Sequence, residues 1–162
     1  ATQLDALVLA RRWDIYRDPF EDQAGFDSFL DNTSGVLMQQ AARALGDTDG
    51  TAARALGWAS GLAGYLQAVP QLEAAGRVPL VDGRREAVQA LAQRGLAKLA
   101  EARAARSRVT PKARPALLAG WMAAPVLQRA AAQPGLVADG ALLPPEARQR
   151  ARKLWVATTG RW

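Results

Sequence analysis

Two carboxylates stand four residues apart in Asp27-Ser-Phe-Leu-Asp31. On a helix they share one face, an arrangement in which a pair of hard oxygen donors can bridge a divalent cation such as Mg²⁺. A structural reading competes with this one. Acidic side chains near a helix start are favoured by the helix dipole, by roughly 0.3–1 kcal/mol, and short motifs often match by accident. Asp18 and Asp22 precede the pair, but no second carboxylate cluster follows that would face it. The chain contains neither His nor Cys. Ser-His-Asp chemistry, Cys nucleophiles, thiolate metal sites and disulfides are therefore excluded. Ser60, in Gly57-Trp-Ala-Ser-Gly61, lacks both a conventional base and the spacing of a nucleophile elbow, and reads as a small core serine.

The elements that carry these residues are helices. Alanine and leucine dominate, β-branched and aromatic residues are scarce, and no segment alternates apolar with polar over strand length. A chain of 162 residues is long enough to bury one substantial core, so a single all-α domain spanning residues 1–162, with about six helices, is expected. Leu4, Leu7, Val8, Arg11 and Ile15 recur at helical spacing and predict a helix over 3–17, stopped by Asp18-Pro19. Phe26, Phe29, Leu30, Thr33, Leu37 and Ala41 predict a second over 22–45, closed by Gly46. A third runs from Thr51 to about Val69, where Pro70 intervenes, and a fourth, over 84–105, turns Val88, Leu91, Leu96 and Leu99 inward. A fifth starts at Thr110-Pro111 and is interrupted by Pro115 and Pro125; Pro144-Pro145-Glu146 opens a last one reaching Thr158. Trp13, Trp58, Trp121 and Trp155 read as packing residues, and Trp162 as docked on the body or anchored at a membrane interface.

Charge divides the chain. Residues 1–50 hold nine acidic and four basic side chains, whereas 51–162 hold six acidic and seventeen basic ones, within a net charge of +6. Arginine supplies most of the excess, which suits phosphate or anionic-lipid contact as well as plain solvation. No nucleic-acid motif accompanies it and aromatics do not interleave with the arginines, so nucleic-acid binding rests on charge alone. The uncharged run 115–128 is shorter than the roughly 20 residues that span a bilayer. No signal-peptide pattern opens the chain, and a cytoplasmic location is expected.

Ala53, Gly57, Gly61, Gly64 and Ala68 form a stripe of small residues on the third helix. Glycine within a helix costs about 0.5–1 kcal/mol relative to alanine, so the stripe implies close approach by another backbone or a flat ligand. Gly57-Trp-Ala-Ser-Gly61-Leu-Ala-Gly64-Tyr-Leu-Gln67-Ala68-Val-Pro-Gln-Leu72, followed by Gly76-Arg77-Val-Pro-Leu, resembles the G-x-A-x-Q-x-x-N-I-L-R-D-x-x-x-D and G-R-x-Y-L-P segments of the squalene/phytoene synthase family. Upstream, Phe29-Leu-Asp-Asn-Thr-Ser34-Gly35 and the run to Leu45-Gly46 are similar to the family's Y-x-x-x-x-A-G and V-x-G stretch. The resemblance covers residues 1–105, with the remainder read as later helices. The family's first aspartate motif belongs upstream of every segment quoted, which implies the later, C-terminal portion of an isoprenoid-synthase-type bundle.

The family joins two prenyl diphosphates head to head, with Mg²⁺ held by two aspartate-rich motifs. Residue by residue, the asparagine of the second motif falls on Gly64, its arginine on Gln67, and its two aspartates on Ala68 and Leu72. The tyrosine and proline of G-R-x-Y-L-P fall on Pro79 and Val81, leaving Arg77 as the matching polar residue. The resemblance therefore implies a degenerate member, similar to the branch that includes respiratory complex I assembly factors. That branch implies a scaffold, assembly or isoprenoid-binding role, peripheral at the inner face of a membrane, with a protein partner in a membrane complex and no cofactor. Gly57, Gly61 and Tyr65 are the expected cavity lining, and Arg77, Arg84 and Arg85 the expected phosphate or lipid-headgroup contacts. The alternative is an active Mg²⁺-dependent prenyltransferase whose remaining ligands lie elsewhere.

Overall fold

The structure, a computed structural model, describes residues 2–11, 13–16 and 18–162. Among these the chain is all-helical, with no strand. The predicted helix over 3–17 is divided by a turn at Arg11 into α1 (Thr2–Ala10) and α2 (Trp13–Tyr16); Arg12 and Arg17 fall outside the described residues. The division delivers Trp13 to a stack on Phe20, with ring centroids 4.7 Å apart, while Val8 and Ile15 face solvent instead of the core.

The second predicted helix has the expected extent but not the expected regularity. α3 (Gln23–Leu30) begins at Asp22, whose carboxylate accepts from the Gly25 N–H at 2.7 Å, and α4 (Val36–Ala44) closes it. Between them Asp31–Gly35 forms a π-helical turn, in which the Val36 N–H reaches back five residues to the Asp31 carbonyl. Thr33 reinforces the distortion, its hydroxyl donating to the Phe29 carbonyl at 2.6 Å. Gly46, at φ +92°, ends α4 in a Schellman motif: Gly46 N–H bonds the Arg43 carbonyl and Asp47 N–H the Ala42 carbonyl.

Helix α5 (Thr51–Ala74) is the central element, packed by α4, the π turn, α6 (Arg85–Ala104) and, further along the chain, α8 (Ala123–Ala132). It runs through Pro70 rather than stopping at Val69. Proline removes one helical hydrogen bond, but Leu66 and Val69 in the turn that precedes it are fully buried. Burying such side chains stabilises by about 1.5–3 kcal/mol each, enough to carry the helix past the defect. It ends at Gly76 (φ +74°), where Gly76 N–H bonds the Glu73 carbonyl and Arg77 N–H the Leu72 carbonyl, a second Schellman closure.

Helix α6 buries Val88, Leu91 and Leu99 as predicted, with Leu96 half-buried. The fifth predicted helix breaks up around Pro111 and Pro115 into short 3₁₀ and α turns, including α7 (Arg114–Leu117) and the 3₁₀ turn Leu118–Met122, before α8 becomes regular. Pro125 does not interrupt it, because it sits in the first turn of α8, where the N–H has no helical partner to lose. After α9 (Gly135–Ala138), α10 (Glu146–Thr159) closes the fold against the 118–122 turn, where Arg152 Nε donates to the Trp121 carbonyl at 2.6 Å. Trp58 and Trp162 are buried, whereas Trp155 is 55% exposed, contrary to its reading as a packing residue.

The small-residue stripe on α5 has two environments. A Cβ on Gly57 would lie 2.5 Å from the Ser34 carbonyl oxygen, and one on Gly61 2.5 Å from the Ser34 Cβ, so here the π turn lies directly against the helix backbone. At Gly64 a Cβ would meet nothing within 4 Å. Gly57→Ala is expected to destabilise by about 1–3 kcal/mol through forced displacement of the π turn, whereas Gly64→Ala is expected to stabilise by about 0.5–1 kcal/mol through helix propensity alone. Urea denaturation of the two variants measures both; equal shifts would contradict the packing described.

Candidate functional site

Beyond the close contact, α4 and α5 diverge into a groove of about 450 Å³. Leu37, Met38 and Ala41 form one wall, Gly57, Gly61 and Gly64 the other, and Ala116 and Ala119 the end. Its polar groups are sparse: Ser34 lies at the mouth of the contact, and the Ser60 Oγ is buried without a hydrogen-bond partner among the described residues. Ser60, expected in the core, thus faces the groove. The missing Cβ at Gly64 keeps it open, and Leu37 stands 57% exposed at its edge. Gly57 and Gly61 line this space; Tyr65 does not. Tyr65 belongs to an aromatic cluster with Trp13, Phe20, Phe26 and Phe29, and its hydroxyl donates to the Pro79 carbonyl at 2.7 Å, fastening the loop after α5.

Asp27 and Asp31 do border one recess, of about 640 Å³, together with Trp58, Arg94 and Lys98. Each is engaged by an arginine from another helix. Arg94 of α6 pairs with Asp27, which also accepts from Gln23 Nε2 at 2.9 Å. Arg54 of α5 clasps Asp31 with both arms, Nε to Oδ1 at 2.8 Å and Nη2 to Oδ2 at 2.6 Å, and this hydrogen bonding raises the guanidinium pKa further. Arg54 Nη1 also reaches Gln39 Oε1 at 3.3 Å. The two carboxylates therefore serve as ties between the 23–35 segment and α5 and α6. No group of three or more metal-ligating side chains converges among the described residues.

The aspartate-motif positions lie along the second half of α5. Gly64 is groove wall, Gln67 folds back to donate to the Ala63 carbonyl at 2.9 Å, and Ala68 and Leu72 are half-buried hydrocarbon. Mg²⁺ takes an octahedron of oxygens, usually with one or two carboxylates. These four side chains provide one amide oxygen and no carboxylate, so they do not fit the ion. The expected headgroup contacts are dispersed. Arg77 lies over the Trp13 ring, 4.7 Å from its centroid. Arg84 is held by Asp82, Nη2 to Oδ2 at 2.6 Å, and its hydrogen bonds lower the Asp82 pKa to about 2. Arg85 is exposed at the start of α6, beside Gly135.

The two helical walls of the groove and positions 64, 67, 68 and 72 fall within one stretch of chain, and that stretch is what the family comparison recognises: the squalene/phytoene synthase model matches residues 1–81, with Ala116 and Ala119 at the groove's end outside it. The chain belongs to the squalene/phytoene synthase family. Comparison with curated proteins and with solved structures finds no match. The matched span ends in the loop after Gly76-Arg77, short of the 105 residues read from the motifs, so α6 and the later helices lie beyond it. The matched span holds the glycines that admit the π turn, and its positions 64, 67, 68 and 72 carry Gly, Gln, Ala and Leu. Sequence reasoning missed the π turn and the arginine partners of Asp27 and Asp31; the only local signal was Thr33-Ser34-Gly35, small and polar in the middle of an apolar pattern.

Because Asp31 and Arg54 are each about one-third exposed, solvent screens their pair. Asp31→Asn is expected to cost about 0.5–1 kcal/mol in chemical denaturation. Millimolar Mg²⁺ is expected to shift the melting temperature of the wild type no more than that of an Asp27→Asn/Asp31→Asn double variant. A Mg²⁺-dependent rise confined to the wild type would restore the pair as metal ligands.

Proposed function

We propose that this squalene/phytoene synthase family chain is non-catalytic and holds an apolar isoprenoid or acyl chain in the α4–α5 groove, acting as a scaffold or assembly protein at a membrane surface. One observation carries the reading. Where the family's chemistry needs oxygen donors for Mg²⁺, α5 presents Gly64, Gln67, Ala68 and Leu72, while the same helix keeps an apolar groove open through its glycines.

The physical demand explains why the two features separate. Departure of diphosphate develops negative charge that only a cation clamp offsets, and a clamp requires carboxylates to hold the cations. Binding of a hydrocarbon chain has no such requirement. It is driven by removal of apolar surface from water, at roughly 0.8 kcal/mol per buried methylene, and a groove of about 450 Å³ is within the ordinary range for small-molecule sites. The Ser60 hydroxyl is the one unpartnered polar atom on that wall and would orient a ligand's alcohol or carbonyl end. No helix among the described residues is long and apolar enough to cross a membrane, so contact with lipid would be made from the surface.

Purified full-length protein, given farnesyl or geranylgeranyl diphosphate with Mg²⁺, is expected to release no pyrophosphate and form no coupled product. Farnesol is expected to bind, read by tryptophan fluorescence or native mass spectrometry. Gly64→Leu, which projects into open space, should weaken that binding roughly tenfold, about 1.4 kcal/mol, with the fold intact. Magnesium-dependent turnover would end the non-catalytic reading, and undiminished farnesol binding by Gly64→Leu would remove the groove as the site.

A further inference from the structure

Four arginines from three parts of the chain gather around a recess of about 350 Å³: Arg103 near the end of α6, Arg106 in the turn that follows, Arg152 on α10 and Arg161 in the C-terminal segment. Trp155 and Trp162 complete its walls. Among the described residues no carboxylate side chain pairs with any of the four, although elsewhere Arg54, Arg84, Arg94, Arg108 and Arg150 all have acidic partners. A main-chain carboxylate at Trp162 would offset only one of the four charges.

Main-chain oxygens hold two of the four arginines. Arg103 Nε donates to the Trp162 carbonyl at 3.0 Å, and Arg152 Nε to the Trp121 carbonyl at 2.6 Å. Arg106 Nη2 lies beside Gly160, 3.6 Å from where a Cβ there would sit, and the φ of +63° at Gly160 turns the chain after α10. Burial, and then the like charge of Arg103, push the Arg152 pKa down. The fold thus holds mutually repelling guanidinium groups in one recess. An anion would relieve that repulsion, and the planar donor fork of arginine matches phosphate oxygens.

The rim says which anion. Trp155, which lines the recess, is 55% exposed, and Leu154, the residue before it on α10, is 68% exposed. Exposed tryptophan and leucine flanking a cationic site is the pattern of a surface that rests at the headgroup level of a bilayer. We infer that the Arg103–Arg106–Arg152–Arg161 recess binds the phosphate of an anionic phospholipid headgroup, with Leu154 and Trp155 entering the adjoining interface. This deepens the membrane-surface part of the proposed function and moves the contact from Arg84 and Arg85 to α10 and the C-terminal segment. The 118–122 turn links the two sites: Arg152 is anchored on its Trp121 carbonyl, and its Ala119 lines the groove.

Co-sedimentation of the full chain with phosphatidylcholine vesicles containing phosphatidylglycerol, against phosphatidylcholine alone, tests the site. The chain is expected to partition onto the anionic vesicles. Arg106→Gln/Arg161→Gln should reduce that partition roughly twentyfold, at about fivefold per arginine near the surface. Lys112→Gln/Arg148→Gln, which removes two exposed cations outside the recess, should reduce it less than about threefold. Trp155→Ser should also weaken it, with circular dichroism unchanged. Equal losses from the two double variants would mean diffuse electrostatics and overturn the site, as would absence of partition or an unaffected Trp155→Ser. Calorimetric binding of pyrophosphate by a chain that ignores the vesicles would make a soluble phosphate the ligand and overturn the lipid assignment. Failure on vesicles leaves the turnover experiment untouched, so the two readings fall separately.

Discussion

Everything near the groove depends on how closely the backbone of Ser34 and Gly35 approaches the backbone of α5. The approach is permitted by Gly57 and Gly61, where any side chain would overlap the π turn. The π turn in turn supplies the extra residue that turns Ser34 toward α5 and leaves Asp31 beside Arg54. Neither feature is stable alone: a π turn strains the helical ladder, and glycines within a helix carry an entropic cost. Packed together they offset each other, since the strained turn fills the space that the glycines leave.

The same geometry accounts for the groove. Past Gly61 the two helices separate, and Gly64 adds no side chain to fill the gap. A helix built only to pack would gain from alanine there. The open position and the partnerless Ser60 hydroxyl are the features of α5 that packing does not explain, and both lie on the groove wall. α5 thus combines an apolar groove wall with the absence of any carboxylate at Gly64, Gln67, Ala68 and Leu72.

Charge is organised on a different principle at the two ends of the fold. Around the 23–35 segment the carboxylates and arginines neutralise one another across helices, Asp27 with Arg94 and Asp31 with Arg54. At the α10 recess Arg103 and Arg152 are held by main-chain oxygens, and the four arginines have no acidic side-chain partner among the described residues. Part of the overall positive balance is thus a local surplus, beside the exposed Trp155.

Residue types and their period were enough to establish the helical class, the segments that became α4, α5 and α6, and the cap at Gly46, because amphipathic spacing and left-handed glycine are local properties. They also show that positions 64, 67, 68 and 72 carry no carboxylate, since side-chain chemistry is read directly from the sequence. Tertiary packing decided the rest. Pro70 stays helical because of what Leu66 and Val69 bury, Tyr65 turns to an aromatic cluster rather than the cavity, and Asp27 and Asp31 become ties because arginines 23 and 67 residues away reach them. The four-arginine recess is assembled from residues spread between 103 and 161, a juxtaposition that no period or motif encodes, because long-range proximity is set by how helices stack and not by what any one helix contains.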